Sequence, residues 1–204
     1  MAPGGRVARL PARPGCHGGG IFPAMEKQIP AEALEAHVAG VGLTPGRLRD
    51  QLEGGPQLLV FLRHFGCVFC RETVADLREI AERSPDYPPV LFFFVGSPTE
   101  GRAFMRRYWP GARAVADAEK RLYAAFGVER GNLLQVLGPG VWAARRRARS
   151  KGNEQGPRSG DIWMMPGTFL VDGPRILWAH EYAHAADHPD FASIPDRIPK
   201  SASA

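Results

Sequence analysis

The feature that most constrains this chain is a short apolar run, Leu58-Leu59-Val60-Phe61-Leu62, that passes without a spacer into Arg63-His64-Phe65-Gly66-Cys67-Val68-Phe69-Cys70. Five consecutive apolar residues with no alternation read as a strand buried on both faces. After the second cysteine, Val74, Leu77 and Ile80 recur at three-residue steps beside Ala81, while Arg71, Glu72, Asp76, Arg78 and Glu79 take the other side. That pattern predicts an amphipathic helix. A C-x-x-C motif is thus delivered by a buried strand to the start of a helix.

The rest of the pattern repeats the alternation. Pro85, Pro88 and Pro89 end the helix, and Val90 to Val95 reads as a second buried strand. A third strand and helix are expected from Ala114 through Phe126, with Asp117 at the turn and Leu122, Tyr123 and Phe126 on the helix. Met164 to Gly173 gives a turn, a strand and a turn, and Arg175 to His180 reads as its hairpin partner. The fold class is therefore α/β, with a mixed central sheet flanked by helices. Asn132 to Gly160 is expected to be an insertion with one helix around Val141 to Arg149.

Outside residues 57–190, which read as the domain, the expectations are simpler. Residues 1–24, rich in Gly, Pro and Arg, read as a disordered tail, with Met25 as an alternative start. Residues 25–56 read as an N-terminal helical extension, with one helix over Ala31 to Val38. A second would open at Thr44-Pro45 and carry Leu48 and Leu52 on one face. Past Asp187 the chain is Pro-rich, and 191–204 reads as a flexible tail.

Composition bounds the function classes. With 204 residues, 44% hydrophobic and 23% charged, the chain can bury a core and is neither disordered nor a coiled coil. Three cysteines are too few for a disulfide scaffold. The net charge of +5 is carried almost wholly by scattered arginines, so a nucleic-acid partner is not expected. No window of about 18 apolar residues is present, and the first 24 residues lack a signal-like apolar stretch; we expect no membrane partner and a cytoplasmic location.

The C-x-x-C carries the chemistry. At a helix start, unpaired amides and the helix dipole stabilise a thiolate, so Cys67 is expected to ionise at a pKa of roughly 3.5–7.5, helped by Arg63, His64 and Arg71 if they face it. Cys70, one turn on, would be partly buried and placed to attack a mixed disulfide on Cys67. Two inert core thiols are one alternative. A zinc site is another, but it needs two more ligands, and Cys16 and His17 lie in the expected tail.

Together, Arg63 to Glu72, Asp117 to Val128 and Pro166 to Asp172 resemble the peroxiredoxin-like branch of the alkyl hydroperoxide reductase/thiol-specific antioxidant (redoxin) superfamily. The resemblance spans roughly residues 45–188 and implies a thioredoxin-like fold, with an insertion before a cis-proline loop and the N-terminal extension added to it. It also implies thiol redox chemistry, with Cys67 as exposed nucleophile and Cys70 as resolving thiol, a redox-active Cys67–Cys70 disulfide and no cofactor. Two departures stand out. Typical members place Thr or Ser three residues before the first cysteine and an Arg shortly before the strand that reads here as Phe169 to Asp172; this chain has His64 and Pro166. Pro166 instead looks like the cis-proline that faces the C-x-x-C in thioredoxins. With His64, Arg71 and Thr168 it is expected to support a bound substrate.

These residues favour a dithiol–disulfide oxidoreductase over a thiol-dependent peroxidase, with a noncatalytic metal or nucleic-acid binding module as the different-class alternative. The expected partners are a protein or small-molecule disulfide, or a peroxide, and a thioredoxin- or glutathione-type reductant. His180-Glu181-Tyr182-Ala183-His184 matches H-E-x-x-H, with His188 beyond it. That motif needs a helix to present both histidines to zinc, and the preceding Arg175-Ile176-Leu177-Trp178 reads as a strand, so a histidine cluster at a strand end is expected and no metal. Arg145-Arg146-Arg147-Ala148-Arg149 reads as a solvated helix end, and Trp109 and Trp142 as packing residues.

Overall fold

The computed structural model describes residues 27–156 and 160–199. The expectations for residues 1–24, Cys16 and the Met25 start lie outside that range. In chain order the elements are α1 (Ala31–Leu34), β1 (His37–Val38), β2 (Gly40–Val41), β3 (Gly46–Arg47), α2 (Leu48–Gln51) and β4 (Pro56–Phe61). Then come α3 (Val68–Arg83), β5 (Val90–Phe94), α4 (Pro98–Tyr108), β6 (Arg113–Ala116), α5 (Arg121–Ala125), α6 (Leu133–Leu137) and α7 (Pro139–Ser150). The hairpin β7 (Gly167–Asp172) and β8 (Arg175–Ala179) precedes two 3-10 turns, Phe191–Ser193 and Pro195–Arg197.

The main sheet has the order β2-β6-β5-β4-β7-β8 and is mixed: β4, β5 and β6 run parallel, whereas β2, β7 and β8 pair antiparallel with their neighbours. Strand alternation divides the core. Leu58, Val60, Phe92, Phe94 and Leu170 pack toward α3, α4 and α7, whereas Leu59, Phe61, Leu91, Phe93, Phe169 and Val171 pack toward α1, α2 and α5. Both faces are covered, which is why β4 and β5 carry no polar residue on either side apart from Gln57 at the start of β4.

The N-terminal extension departs from expectation. It is helical only over two single turns, and three two-residue strands lie among them, of which β2 extends the main sheet along β6. Gly40 explains the docking: a Cβ there would sit 1.9 Å from the Ala114 carbonyl oxygen, so only glycine lets the edge approach. The expected flexible tail is also corrected through residue 199. Phe191 and Ile194 are buried in the core, and the Tyr87 hydroxyl donates to the Phe191 carbonyl at 2.8 Å. Two apolar side chains and a buried hydrogen bond hold a segment that its prolines make look loose.

The insertion is where the sequence placed it. Helix α7 lies across α3, held by the buried Glu72, which accepts from Arg147 at 3.2 Å and faces Lys151 at 3.3 Å. This clamp seats the insertion over the cysteines. Trp109 packs edge-on to Phe92, as a packing residue should, but Trp142 is largely exposed on α7.

Candidate active site

Strand β4 ends at Phe61, and the chain turns through residues 62–66 before Cys67 caps α3. The turn closes when the Cys67 amide donates to the His64 carbonyl at 3.0 Å. Both thiols are free, and both are buried, at 2% and 3% exposure. That corrects the expectation of an exposed Cys67: α6, α7 and the insertion residues Gln155, Gly156 and Ile162 cover it. Access remains through a pocket of about 310 Å³ whose lining includes Cys67, His64, Val136, Leu137, Val141 and Arg145.

Arg63 organises the pair. Its guanidinium is buried and donates from Nη1 to Cys67 Sγ at 3.4 Å, from Nε to the Met164 carbonyl at 2.6 Å and from Nη2 to the Ile162 carbonyl at 2.5 Å. Its backbone amide points at Cys70 Sγ, 3.2 Å away. The carbonyls that hold it belong to a loop fixed by Asp161, whose carboxylate accepts from Lys120 at 3.0 Å and from the Trp163 amide at 3.1 Å. A permanent cation thus sits against the first thiol, and the loop before β7 aims it.

The two thiols are driven apart in acidity. The Cys67 pKa is lowered from 9.0 to about 6, chiefly by the hydrogen bond from the Cys70 thiol and against the cost of burial, with the Arg63 charge next and smaller help from the Phe69 and Cys70 amides. Cys70 is pushed well up by burial and then by the neighbouring Cys67 sulfur. One thiolate and one proton-bearing thiol in contact are the starting state of a nucleophile and its resolver.

The other expected site residues divide. His64 lines the Cys67 pocket, but its pKa falls to about 4, mainly from burial and then from Arg63 and Arg71, so it is neutral near pH 7 and adds no positive potential. Its Nδ1 is buried without a partner among the described residues. Arg71 does not face the thiols: it donates to the Phe65 carbonyl at 3.2 Å and the Glu154 carbonyl at 2.8 Å, pinning the insertion to the turn. Gly156 lies so close to that guanidinium that a Cβ would stand 1.9 Å from Nη2. Thr168 is buried on β7 with its hydroxyl 2.7 Å from the Tyr182 hydroxyl, and it does not line the Cys67 pocket.

Pro166 does approach the dithiol, sharing a small void with Cys70, but its peptide bond is trans; no described residue has a cis bond. The Met165 amide donates to the Glu129 carbonyl at 2.9 Å and Gly167 opens β7 against Phe61, so the extended trans path already satisfies the loop. Residues 180–184 are irregular rather than helical. His180 Nε2 lies 2.9 Å from the Asp187 carbonyl, and the His184 ring lies against Gly140, so the histidines of the H-E-x-x-H pattern have separate structural partners.

A profile of the family described as AhpC/TSA antioxidant enzyme matches residues 76–184. The chain belongs to that family. Its members are thiol-redox oxidoreductases, and the mixed sheet and flanking helices give this one a thioredoxin-like fold. Peroxiredoxin Q from Xanthomonas campestris is similar over 83% of this chain and 96% of its own, with TM-score 0.55 and 17% identity. Peroxidoxin BcpB from Mycobacterium tuberculosis is similar over 81% and 92%, with TM-score 0.51 and 17% identity. The prostamide/prostaglandin F synthase of Aquarana catesbeiana is 28% identical over 118 residues, 56% of this chain and 58% of that protein, so the chain spans less than two thirds of that relative. The family match begins beyond Cys70, so the roles of Cys67 and Cys70 rest on their own geometry.

Proposed function

We propose that this enzyme is a peroxiredoxin-like thiol–disulfide oxidoreductase that cycles Cys67 and Cys70 between dithiol and disulfide. The observation that carries this reading is the placement of the two free thiols at the start of α3, with the buried Arg63 guanidinium donating to Cys67 Sγ at 3.4 Å and the Arg63 amide donating to Cys70 Sγ at 3.2 Å, an arrangement that favours the Cys67 thiolate. The Cys67 thiolate attacks one sulfur of a substrate disulfide, a mixed disulfide forms and the other half leaves as a thiolate that takes a proton. Cys70 gives up its proton and attacks Cys67 Sγ, which forms the Cys67–Cys70 disulfide and releases the second half as a thiol. Substrate gains two electrons and the enzyme loses two, to be restored by an external dithiol of thioredoxin or glutathione type.

A peroxidase reading is favoured by one specific observation. Pro166 stands where the usual family arginine was expected, yet Arg63, from just past the end of β4, brings a guanidinium to Cys67. A donor so placed can hold a peroxide oxygen while the thiolate attacks it, giving Cys67 sulfenic acid and an alcohol or water, after which Cys70 expels water to form the same disulfide. Because Cys67 is buried at the floor of its pocket, small or slender oxidants reach it more readily than a folded protein does.

Stopped-flow oxidation of the reduced protein decides between the readings. Fast saturating reaction with hydrogen peroxide supports the peroxidase, and slow reaction with rapid exchange against a small disulfide supports the oxidoreductase. Cys67→Ser abolishes both; if either persisted undiminished, Cys67 would not be the nucleophile. We place this chemistry in the cytoplasm, where thiol reductants keep the pair cycling.

A further inference from the structure

Most large apolar side chains of the described protein are covered, yet Leu133, Leu134, Leu137 and Trp142 are exposed at 62%, 74%, 55% and 75%. All four fall within ten residues on α6 and α7. Contiguous apolar exposure of this kind marks a contact surface rather than the usual scatter. Trp142 joins the two helices, because its indole Nε1 donates to the Leu137 carbonyl at 3.0 Å. Its polar edge is therefore satisfied internally, and the ring can leave water without losing a hydrogen bond.

The charge beside this patch has one sign. Trp142, Arg145, Arg146 and Arg149 are spaced by three, four and seven residues and so share one face of α7, while Val141, Ala144 and Ala148 face the core. Arg147 points elsewhere, to Glu72. Arg145, Arg146 and Arg149 form no ion pair among the described residues.

We propose that the α6–α7 hairpin docks the protein on an anionic lipid bilayer, with Leu133, Leu134, Leu137 and Trp142 entering the headgroup boundary and the arginines meeting anionic headgroups. Apolar anchors beside cations that form no ion pair among the described residues are the two contributions that such binding requires. No described helix is long and apolar enough to cross a membrane, so the attachment is superficial. Nucleic acid offers phosphates but nothing for three outward leucines. A second copy docked by the same patch would oppose arginine to arginine across the two-fold axis. Leu137 and Arg145 also line the Cys67 pocket, so docking sets its mouth at the lipid surface.

Flotation of the full chain with vesicles tests this. The protein floats with phosphatidylcholine vesicles containing phosphatidylserine, stays at the bottom with pure phosphatidylcholine, and is released by added salt. Arg146→Ala with Arg149→Ala lowers the partition coefficient roughly tenfold to thirtyfold, and Leu134→Gln with Trp142→Gln lowers it comparably. All four sites are exposed, so the Cys67 thiolate titration in vesicle-free solution stays unchanged and reports an intact fold. Wild-type protein that remains at the bottom with anionic vesicles, variants that float equally, or a concentration-dependent dimer lost in the Trp142 variant without any flotation would each overturn the proposal.

Discussion

The Cys67–Cys70 pair and the histidine segment 180–188 meet across one void of about 10 Å³, lined by Cys70, Thr73, Tyr182 and His188 among others. Both hold chemically capable side chains, but only one is poised. Beside the thiols stands a buried guanidinium, and a pocket reaches them. At His188 burial is the largest effect, Arg147 adds to it by disfavouring the imidazolium and Asp187 only partly opposes them, so the pKa falls to about 3. Residue type alone does not make a reactive site. An internal charge of the right sign, together with access, separates the thiolate from the silent histidine.

The comparison breaks most sharply at Arg63. Arg63→Met removes the cation from Cys67 and strands the Met164 and Ile162 carbonyls. Thiolate absorbance against pH should show the Cys67 transition moving up from about 6, with reactivity at neutral pH falling about tenfold per unit of movement. Stability should fall by roughly 2–4 kcal/mol in a denaturant melt. Arg63→Lys keeps the charge without the fork, so a transition that remains low in that better-folded variant isolates the electrostatic part. An unmoved transition in both would show that Arg63 is only a strut.

Cys70→Ala has the next largest effect. It deletes the foremost cause of Cys67 acidity, so the titration rises again, and it leaves oxidation with nowhere internal to go. Mass spectrometry of the variant after one equivalent of oxidant should find Cys67 as a sulfenic acid or an external mixed disulfide. An intramolecular disulfide involving another residue would sink the resolving role.

Much of this was legible beforehand. Leu58 to Leu62 and Val90 to Val95 announced strands covered on both sides, because burial on two faces leaves no position for a polar residue, and the C-x-x-C followed at the helix start. Burial of Cys67 was not legible, since it depends on an insertion folding back 70 to 90 residues later. Nor was the direction of Arg63, which is set by carbonyls of Ile162 and Met164 and ultimately by Asp161 and Lys120. Its neighbour Arg71 has the same charge and an equally suitable position in the sequence, yet faces Phe65 and Glu154. Local pattern specifies elements, whereas the aim of a long side chain is a property of distant backbone.

Acid tests one buried imidazole nitrogen on each side of the comparison, in His64 beside the thiols and in His188 of the histidine segment. His64 and His188 have folded pKa values of about 4 and about 3 against 6.5 when free, so between those limits the unfolded chain binds more protons. The stability associated with each is present above about pH 6.5 and lost as pH falls through the folded value. Thermal melts should therefore drop steadily from pH 6.5 toward 4. His188→Phe, which keeps the ring packing near Phe69 and Phe191, should flatten part of that slope. A slope unchanged in the variant would exclude His188 as a source of the acid sensitivity.

The smallest effect is expected at His184, where the motif invites the largest. Its ring rests on Gly140 at the start of α7, with Cδ2 only 2.5 Å from where a Cβ would stand, and its Nδ1 accepts from the Ala186 amide at 3.3 Å. It is a spacer between the 180–188 segment and the insertion. His184→Ala should cost about 1 kcal/mol from lost packing and leave the rate of Cys67 oxidation within about twofold of wild type. The reason lies in the path of influence: His184 touches neither Arg63 nor either sulfur, and reaches the dithiol only through the seating of α7, which Glu72, Arg147 and Lys151 hold independently. A loss of reactivity approaching that of Cys67→Ser, reversed by added zinc, would instead make the histidine segment the working site and invert the comparison.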